Sequence, residues 1–192
     1  MELALNILIG VGLAATCGFR VFVPLLVMGV ANKVGYLELS EGFSWIGSYP
    51  AMIIFCIATI VEIIAYFIPY VDNLLNAISI PISAVAGIVV TAAVITDISP
   101  ILQWTLAIIA GGGVASVTSL ISNGAHTTST VFSGGIANPV VSAGETVVSV
   151  IMAVLSILVP IVAVLFIVMV IILVSRKVRR FKESRFKQRH MD

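Results

Sequence analysis

The stretch from Leu3 to Ala31 reads LALNILIGVGLAATCGFRVFVPLLVMGVA, and Arg20 is its one charged side chain. As a straight helix, these 29 residues would be about 43 Å long, whereas the hydrocarbon core of a bilayer is about 30 Å thick. The stretch is therefore too long for one simple span. Gly18 and Pro24 flank Arg20 and belong to the residue types at which helices break. We expect a broken helix with Arg20 beside the break.

Four further apolar stretches cover residues 51–68, 78–96, 101–121 and 140–174, and Pro160 offers a break in the last one. The chain of 192 residues is 60% hydrophobic and 10% charged, with a mean hydropathy of +1.19. A soluble domain of this length cannot bury so much apolar surface, and the stretches lack the alternation of barrel strands. The sequence predicts an all-α, polytopic transmembrane helical bundle of five to six membrane segments, with broken or re-entrant helices.

Charge is divided unevenly along the chain. Residues 1–175 carry two basic and seven acidic side chains, whereas residues 176–192 carry eight basic and two acidic ones. We expect a transmembrane domain over residues 1–175 and a basic cytoplasmic tail over residues 176–192, because positive charge is enriched on the cytoplasmic side of membranes. The tail is expected to bind anionic lipid headgroups rather than nucleic acid.

The segment 122–139 is small and polar but contains no Lys, Arg, Asp or Glu. An exposed loop usually carries charge. We therefore expect a re-entrant segment whose hydroxyl and carbonyl groups line a wet cavity, with a flexible aqueous loop as the alternative.

A faint internal repeat relates two halves, residues 1–97 and 101–175. The motif GVAN at 29–32 and the motif GIAN at 135–138 are each followed by a glutamate in an apolar segment. A duplication would fit transporter-like folds, in which two repeats meet at a midplane site. Chance similarity between Gly/Ala-rich helices is the alternative.

Ionisable side chains inside apolar segments are the candidate functional residues, because charge within the bilayer is costly. Arg20 is expected to bind an anion or a lipid headgroup, or to be the fixed partner of a carboxylate. The alternative is that its side chain extends to the membrane interface, where water solvates the charge. Glu62 and Glu145 are the carboxylates that can pair with it, and one left over could carry a proton. For each of them, a structural cap or ion pair is the alternative. His126 can titrate near neutral pH, and Asn138 completes the set of candidate substrate-binding or coupling residues.

Motifs for catalysis or metal binding do not occur in the sequence: there is no Ser/His/Asp order, phosphate-binding loop or zinc spacing. Cys17 and Cys56 both lie in apolar stretches, as small buried hydrophobic residues do. We expect no enzymatic activity, no cofactor and no metal.

Several short motifs occur in an order that resembles a known family. They are Gly18-Phe19-Arg20, Glu62, Ile68-Pro69-Tyr70-Val71-Asp72, Ala86-Gly87 and Asn138-Pro139 with Glu145. Over residues 8–165 the chain resembles the bacterial membrane-protein family catalogued as domain of unknown function 4126, which implies an architecture but no activity. The resemblance also implies fewer charges than usual at the site, since uncharged residues replace common charged ones at four positions: Tyr66, Phe67, Ile80 and Thr146.

Two functions fit these features. A small transporter or flippase-like protein would use an intramembrane Arg/Glu site, where an anionic lipid would suit Arg20 and a small cation would suit the acidic excess. A non-transporting scaffold or accessory subunit would instead use the charges as structural ion pairs. Both place the chain in the bacterial cytoplasmic (inner) membrane as a multi-pass protein with a cytoplasmic C-terminus. Gly-rich helix faces also allow a homo-oligomer.

Overall fold

The computed structural model describes residues 2–66 and 68–189; side chains at 69, 70, 72, 73, 174, 175 and 177–189 are outside the description. The α-helices in this part of the chain are α1 Glu2–Cys17, α2 Phe22–Lys33, α3 Tyr49–Ala65, α4 Pro69–Val94, α5 Pro100–Leu106, α6 Gly113–Ser133, α7 Asn138–Leu158 and α8 Pro160–Arg189. A 3-10 helix, Glu41–Gly47, precedes α3, and a π-helical segment, Ala107–Gly112, joins α5 to α6. No strand occurs among the described residues, and the all-helical prediction is confirmed.

Three of the described helical stretches are long and apolar enough to cross a membrane: Leu74–Val94, Pro100–Ser133 and Asn138–Leu158. The 3-10 helix and α3, which meet at a bend of 64°, make a fourth candidate if they are counted together. Helix α1, helix α2 and the segment Pro160–Leu173 are shorter apolar helices. A polytopic helical membrane protein is confirmed, whereas the number of five to six segments stays a prediction.

Both predicted helix breaks are present. Helix α1 ends at Cys17 and α2 begins at Phe22. Pro24 lies in the first turn of α2, where its missing N–H removes no helical hydrogen bond. The second break is at Val159, whose non-helical backbone separates α7 from Pro160 at the start of α8. These breaks divide stretches that were too long for a single span.

Helix α1 is the central helix of the bundle, and its C-terminal half is buried. It packs on α4 and α7, and also on α6 and α8. The close approach to α6 explains Gly18, because a Cβ there would overlap the side chain of Thr118. Helix α2 packs on α3, the 3-10 helix and α7. The break after α1 is therefore enclosed by several helices.

Residues 122–133 continue α6 as a regular helix, so the alternative of a flexible loop is wrong for these residues, whereas the re-entrant placement of 122–139 stays a prediction. Hydroxyl groups in this segment donate to backbone carbonyls four residues earlier, as Thr127, Thr128 and Ser133 do. Polar side chains satisfied in this way need no aqueous surroundings. The turn is confined to residues 134–137, where Gly134 and Gly135 have positive φ values of 63° and 89°.

Helix α8 runs through the predicted domain boundary at residue 175 and continues to Arg189. Most side chains of the predicted basic tail lie outside the described residues, as do residues 190–192. The lipid-binding role of the tail stays a prediction, and so does the internal repeat.

Helix α4 and the π-helical segment approach each other closely at Gly111. A Cβ on Gly111 would overlap the Thr91 hydroxyl and the Gly87 carbonyl, whereas a Cβ on Gly113 would meet open space. We expect Gly111→Ala to destabilise the protein by about 1–3 kcal/mol, as overpacking does. The matched change Gly113→Ala should leave stability unchanged or raise it. Thermal unfolding in detergent measures both, and equal midpoints for the two variants would contradict the packing described.

Candidate functional site

Arg20 lies in the short connection between α1 and α2. Its backbone N–H donates to the carbonyl of Thr16 over 3.0 Å, as does the N–H of Phe19. The connection therefore keeps some backbone hydrogen bonding while it leaves the α-helical path. The side chain of Arg20 is 0% exposed and points towards α7.

Helix α7 binds the guanidinium of Arg20 from one side. Arg20 Nη2 donates to the carbonyl oxygen of Ser142 at 2.8 Å and to its hydroxyl at 2.5 Å. Arg20 Nε donates to Thr146 Oγ1 at 3.0 Å. The guanidinium carbon lies 4.1 Å from the centre of the Tyr66 ring, a cation–π distance. Arg20 is thus held by neutral groups as well as by an acid.

Glu145 is the carboxylate that pairs with Arg20, with its Oε2 at 3.9 Å from Arg20 Nη2. Its Oε1 accepts from the hydroxyl of Ser122 at 2.5 Å, and its Oε2 lies 3.0 Å from His126 Nε2. An ionised carboxylate can only accept, so an ionised Glu145 requires a proton on His126 Nε2 for this hydrogen bond. We call Arg20, His126 and Glu145 the charged cluster. Both oxygens of the Glu145 carboxylate are engaged, as a buried ion pair requires.

Helical periodicity could have identified several of these partners in the sequence. On α7, the buried residues Ser142, Glu145 and Ser149 are spaced by three and four positions. On α6, the same spacing relates Ser119, Ser122 and His126. Such spacing places side chains on one helix face. Tyr66, Ser122, Ser142 and Thr146 contact the cluster but were not predicted as its partners. Two of them, Tyr66 and Thr146, are among the four positions at which the family resemblance implies a charged residue.

Glu62 belongs to the break rather than to the charged cluster. Its Oε1 accepts from the N–H of Val21 at 2.9 Å and its Oε2 from the N–H of Phe22 at 3.2 Å. Val21 offers no side-chain cap at the start of α2, so the Glu62 carboxylate supplies one from α3. The partial positive charge of a helix N-terminus also favours a carboxylate there.

A cavity of about 510 Å³ lies beside Glu62. Its walls come from the α1–α2 break and from α3, α4 and α6. The described lining residues are Cys17, Gly18, Phe19, Val21, Phe22, Ile54, Ile57, Ala58, Val61, Glu62, Ala65, Tyr66, Leu75, Ile78, Ser79, Ile82, Ser83, Ser122 and Asn123. Within this lining Glu62 carries the one formal charge, and no basic side chain contributes. Arg20 is not part of the wall; it is instead the partner of a carboxylate, Glu145.

The cavity lies between two helices that pack on different neighbours. Helix α3 packs on α2 and the 3-10 helix, whereas α4 packs on α1, α6 and the π-helical segment. Lining residues of α3 are also strongly exposed, with Ile54 at 62%, Ile57 at 57% and Val61 at 58%. Because these side chains line the cavity and are also exposed, the cavity lies at the apolar outer surface of the bundle, with a lateral opening between α3 and α4.

Polar groups of α4 and α6 form a second wall of the cavity. Ser79 and Asn123 both line it and hydrogen-bond to each other, with Ser79 Oγ 3.0 Å from Asn123 Oδ1. Asn123 Nδ2 also donates to the carbonyl of Asn76, and Ser119 donates to Ser79. Ser122 connects this wall to the charged cluster, because it lines the cavity and donates to Glu145.

The remaining candidate, Asn138, lies at the turn between α6 and α7. It is 4% exposed, and its side-chain amide donates to Thr130 Oγ1 at 2.9 Å. This hydrogen bond ties the two helix ends together. The structure therefore brings Arg20, His126 and Glu145 into one cluster and places Glu62 at the adjacent break. Within the described residues, no three His, Cys, Asp or Glu side chains are grouped as a metal site would require.

The fold and the site define a multi-pass helical membrane protein with a buried charged cluster next to a carboxylate-lined cavity. The family described as Domain of unknown function (DUF4126) matches residues 7–180, and the chain belongs to this family. The resemblance seen in the sequence is thereby confirmed. No curated protein and no solved structure matches the chain. The geometry of the site is therefore the basis for a function.

The buried pair of Arg20 and Glu145 is expected to stabilise the folded protein. Arg20→Met removes the cation and leaves the Glu145 carboxylate buried, which costs about 3–5 kcal/mol for a broken buried pair. Adding Glu145→Gln to Arg20→Met should restore part of the lost free energy of unfolding, because the unpaired Glu145 carboxylate is no longer buried. Chemical or thermal unfolding in detergent measures the double-mutant cycle. Arg176→Met, at an exposed position of α8, is the matched control. An Arg20→Met protein as stable as wild type would show that the pair is not structural.

Proposed function

We propose that the protein is a small transporter or flippase-like membrane protein whose substrate occupies the cavity beside Glu62. The observation that carries the proposal is the carboxylate of Glu62 at a helix break, in the wall of a cavity of about 510 Å³. Small-molecule sites have volumes of about 300–1,000 Å³ and combine apolar walls with a few polar groups. Discontinuous helices often form the substrate sites of transporters.

The proposal assigns different roles to the two carboxylates. Glu145 is enclosed by the hydroxyl of Ser122, the imidazole of His126 and the guanidinium of Arg20. Glu62 accepts hydrogen bonds from two backbone N–H groups and still borders the cavity. A carboxylate has about four acceptor positions, so the two hydrogen bonds from the start of α2 leave acceptor positions of Glu62 for a ligand. Glu62 is accordingly the substrate-contacting residue, and the charged cluster is the fixed frame behind it.

The lateral opening between α3 and α4 supports a substrate that reaches the site from the bilayer. A flippase-like protein needs such an opening, because a lipid must enter with its tail still in hydrocarbon. The Arg20 guanidinium is fully buried and outside the cavity wall, which disfavours Arg20 as a headgroup anchor.

A non-transporting scaffold or accessory subunit is the second candidate, and the charged cluster favours it. Arg20 and His126 are 0% and 1% exposed, and both are paired with Glu145. A protein that only holds its shape would need this network and no ligand at Glu62. For either function, we propose an inner-membrane location with the basic tail on the cytoplasmic side, against anionic headgroups.

Reconstitution into liposomes tests the transport function. Trace phospholipids carry a nitrobenzoxadiazole label on one acyl chain, and dithionite reports how fast the inner-leaflet label becomes accessible. We expect wild-type protein to accelerate this exchange and Glu62→Gln to slow it by about tenfold or more, equivalent to about 1.4 kcal/mol. Glu38→Gln, at an exposed acid outside the cavity lining, is the matched control and should exchange as wild type does.

The same assay distinguishes the two candidate functions. Vesicles with folded wild-type protein that exchange labelled lipid no faster than empty vesicles would overturn the flippase-like function. The scaffold function would then take its place.

A further inference from the structure

We propose that the ligand of the cavity is an amphiphile with a cationic, hydrogen-bond-donating head, such as an ammonium group. It enters from the bilayer between α3 and α4 and places its head against Glu62. This inference deepens the proposed function, because it concerns the same cavity and rests on that site. It names the chemical class of the ligand, which the family description leaves open.

The charge of the cavity wall selects the sign of the head. Glu62 supplies the one formal charge of the described lining, and no Lys, Arg or His contributes to that lining. A carboxylate in apolar surroundings is costly unless a cation or several donors compensate it. The N–H groups of Val21 and Phe22 are two such donors, and a cationic head would add a countercharge on the cavity side of Glu62, where the described lining has none. An anionic head would meet repulsion from Glu62 and no basic partner.

The other polar groups of the cavity lining favour a head with several donors. Ser79, Ser83, Ser122 and Asn123 all border the cavity, and their oxygen atoms can accept hydrogen bonds. An ammonium group has three N–H donors, so it can bond to the carboxylate and to these oxygens together.

The rest of the wall favours an apolar tail. Ile54, Ile57 and Val61 of α3 and Ile78 and Ile82 of α4 line the cavity and are also exposed on the outer surface. A tail can therefore lie against these side chains while it remains continuous with the lipid around the protein.

The head, rather than the tail, decides which amphiphile binds. A tail gains little on leaving lipid for this wall, because hydrocarbon chains are as apolar as leucine and isoleucine side chains. Amphiphiles with the same tail and different heads should therefore differ in affinity by the interaction with Glu62. A set of dodecyl compounds isolates that interaction.

Photolabelling in phosphatidylcholine nanodiscs tests the proposal on the full chain. The probe is dodecylamine with a diazirine in its tail, and mass spectrometry locates the labelled peptides. Dodecylamine, dodecanol and dodecanoate serve as competitors. We expect labelling on α3 and α4 around Ile57 and Ile82, and dodecylamine should compete about tenfold or more better than dodecanol, as expected for a close charge pair. Dodecanoate should compete least.

Variants separate a charge effect from a loss of structure. Glu62→Gln should bring dodecylamine and dodecanol to within about twofold of each other, because the charge interaction is gone. Continued competition by dodecanol would show that the cavity persists. Ala58→Phe fills the cavity and keeps Glu62, so it should reduce labelling at this site. Ala143→Phe, at an exposed position of α7, should not.

Three outcomes would overturn the proposal. The first is competition by dodecanoate equal to that by dodecylamine. The second is an unchanged preference for dodecylamine in a folded Glu62→Gln protein. The third is labelling that no competitor reduces, which would mean simple partitioning on the lipid-facing surface. Binding is measured here without transport. A protein that prefers dodecylamine but exchanges no lipid therefore loses the proposed function and keeps this inference.

Discussion

The burial of one guanidinium group determines the arrangement of the bundle. Arg20 lies where α1 has ended and α2 has not begun, and lipid would not solvate its charge. Helix α7 therefore supplies the carbonyl and hydroxyl of Ser142, the hydroxyl of Thr146 and the carboxylate of Glu145. The break leaves N–H groups at the start of α2, and Glu62 of α3 accepts from two of them. The same break thus fixes α3 and α7 relative to α1.

The two acids near the break have different surroundings for this reason. Glu145 faces the cation and is enclosed by α6, whereas Glu62 faces backbone donors and keeps a side towards the cavity. Tyr66 and Ser122 lie between the two regions, since each lines the cavity and contacts the charged cluster. A ligand at Glu62 would therefore touch the side chains that hold Arg20 and Glu145. Such contact gives a physical path by which binding could shift the packing of α3, α6 and α7.

The sequence was sufficient for the parts of the structure that depend on local chain chemistry. The breaks at Gly18 and Pro160 followed from stretch length and residue type, and Arg20 and Glu145 were recognised from their cost in lipid. The helical course of residues 122–133 was not predicted, because their hydroxyls are satisfied within α6 and by Glu145. The choice of Glu145 over Glu62 as the partner of Arg20 depends on how α7 packs against the break. A single sequence does not contain that packing.

The central contrast is that Glu62 borders the cavity, whereas Glu145 is enclosed by Ser122, His126 and Arg20. Dicyclohexylcarbodiimide is a lipid-soluble reagent for carboxyl groups, and mass spectrometry of the reconstituted protein can follow its reaction at each glutamate. The open cavity and the closed cluster predict that Glu62 is modified well before Glu145. Modification of Glu145 at the same rate as Glu62, or sooner, would contradict the closed cluster and the separate roles of the two acids.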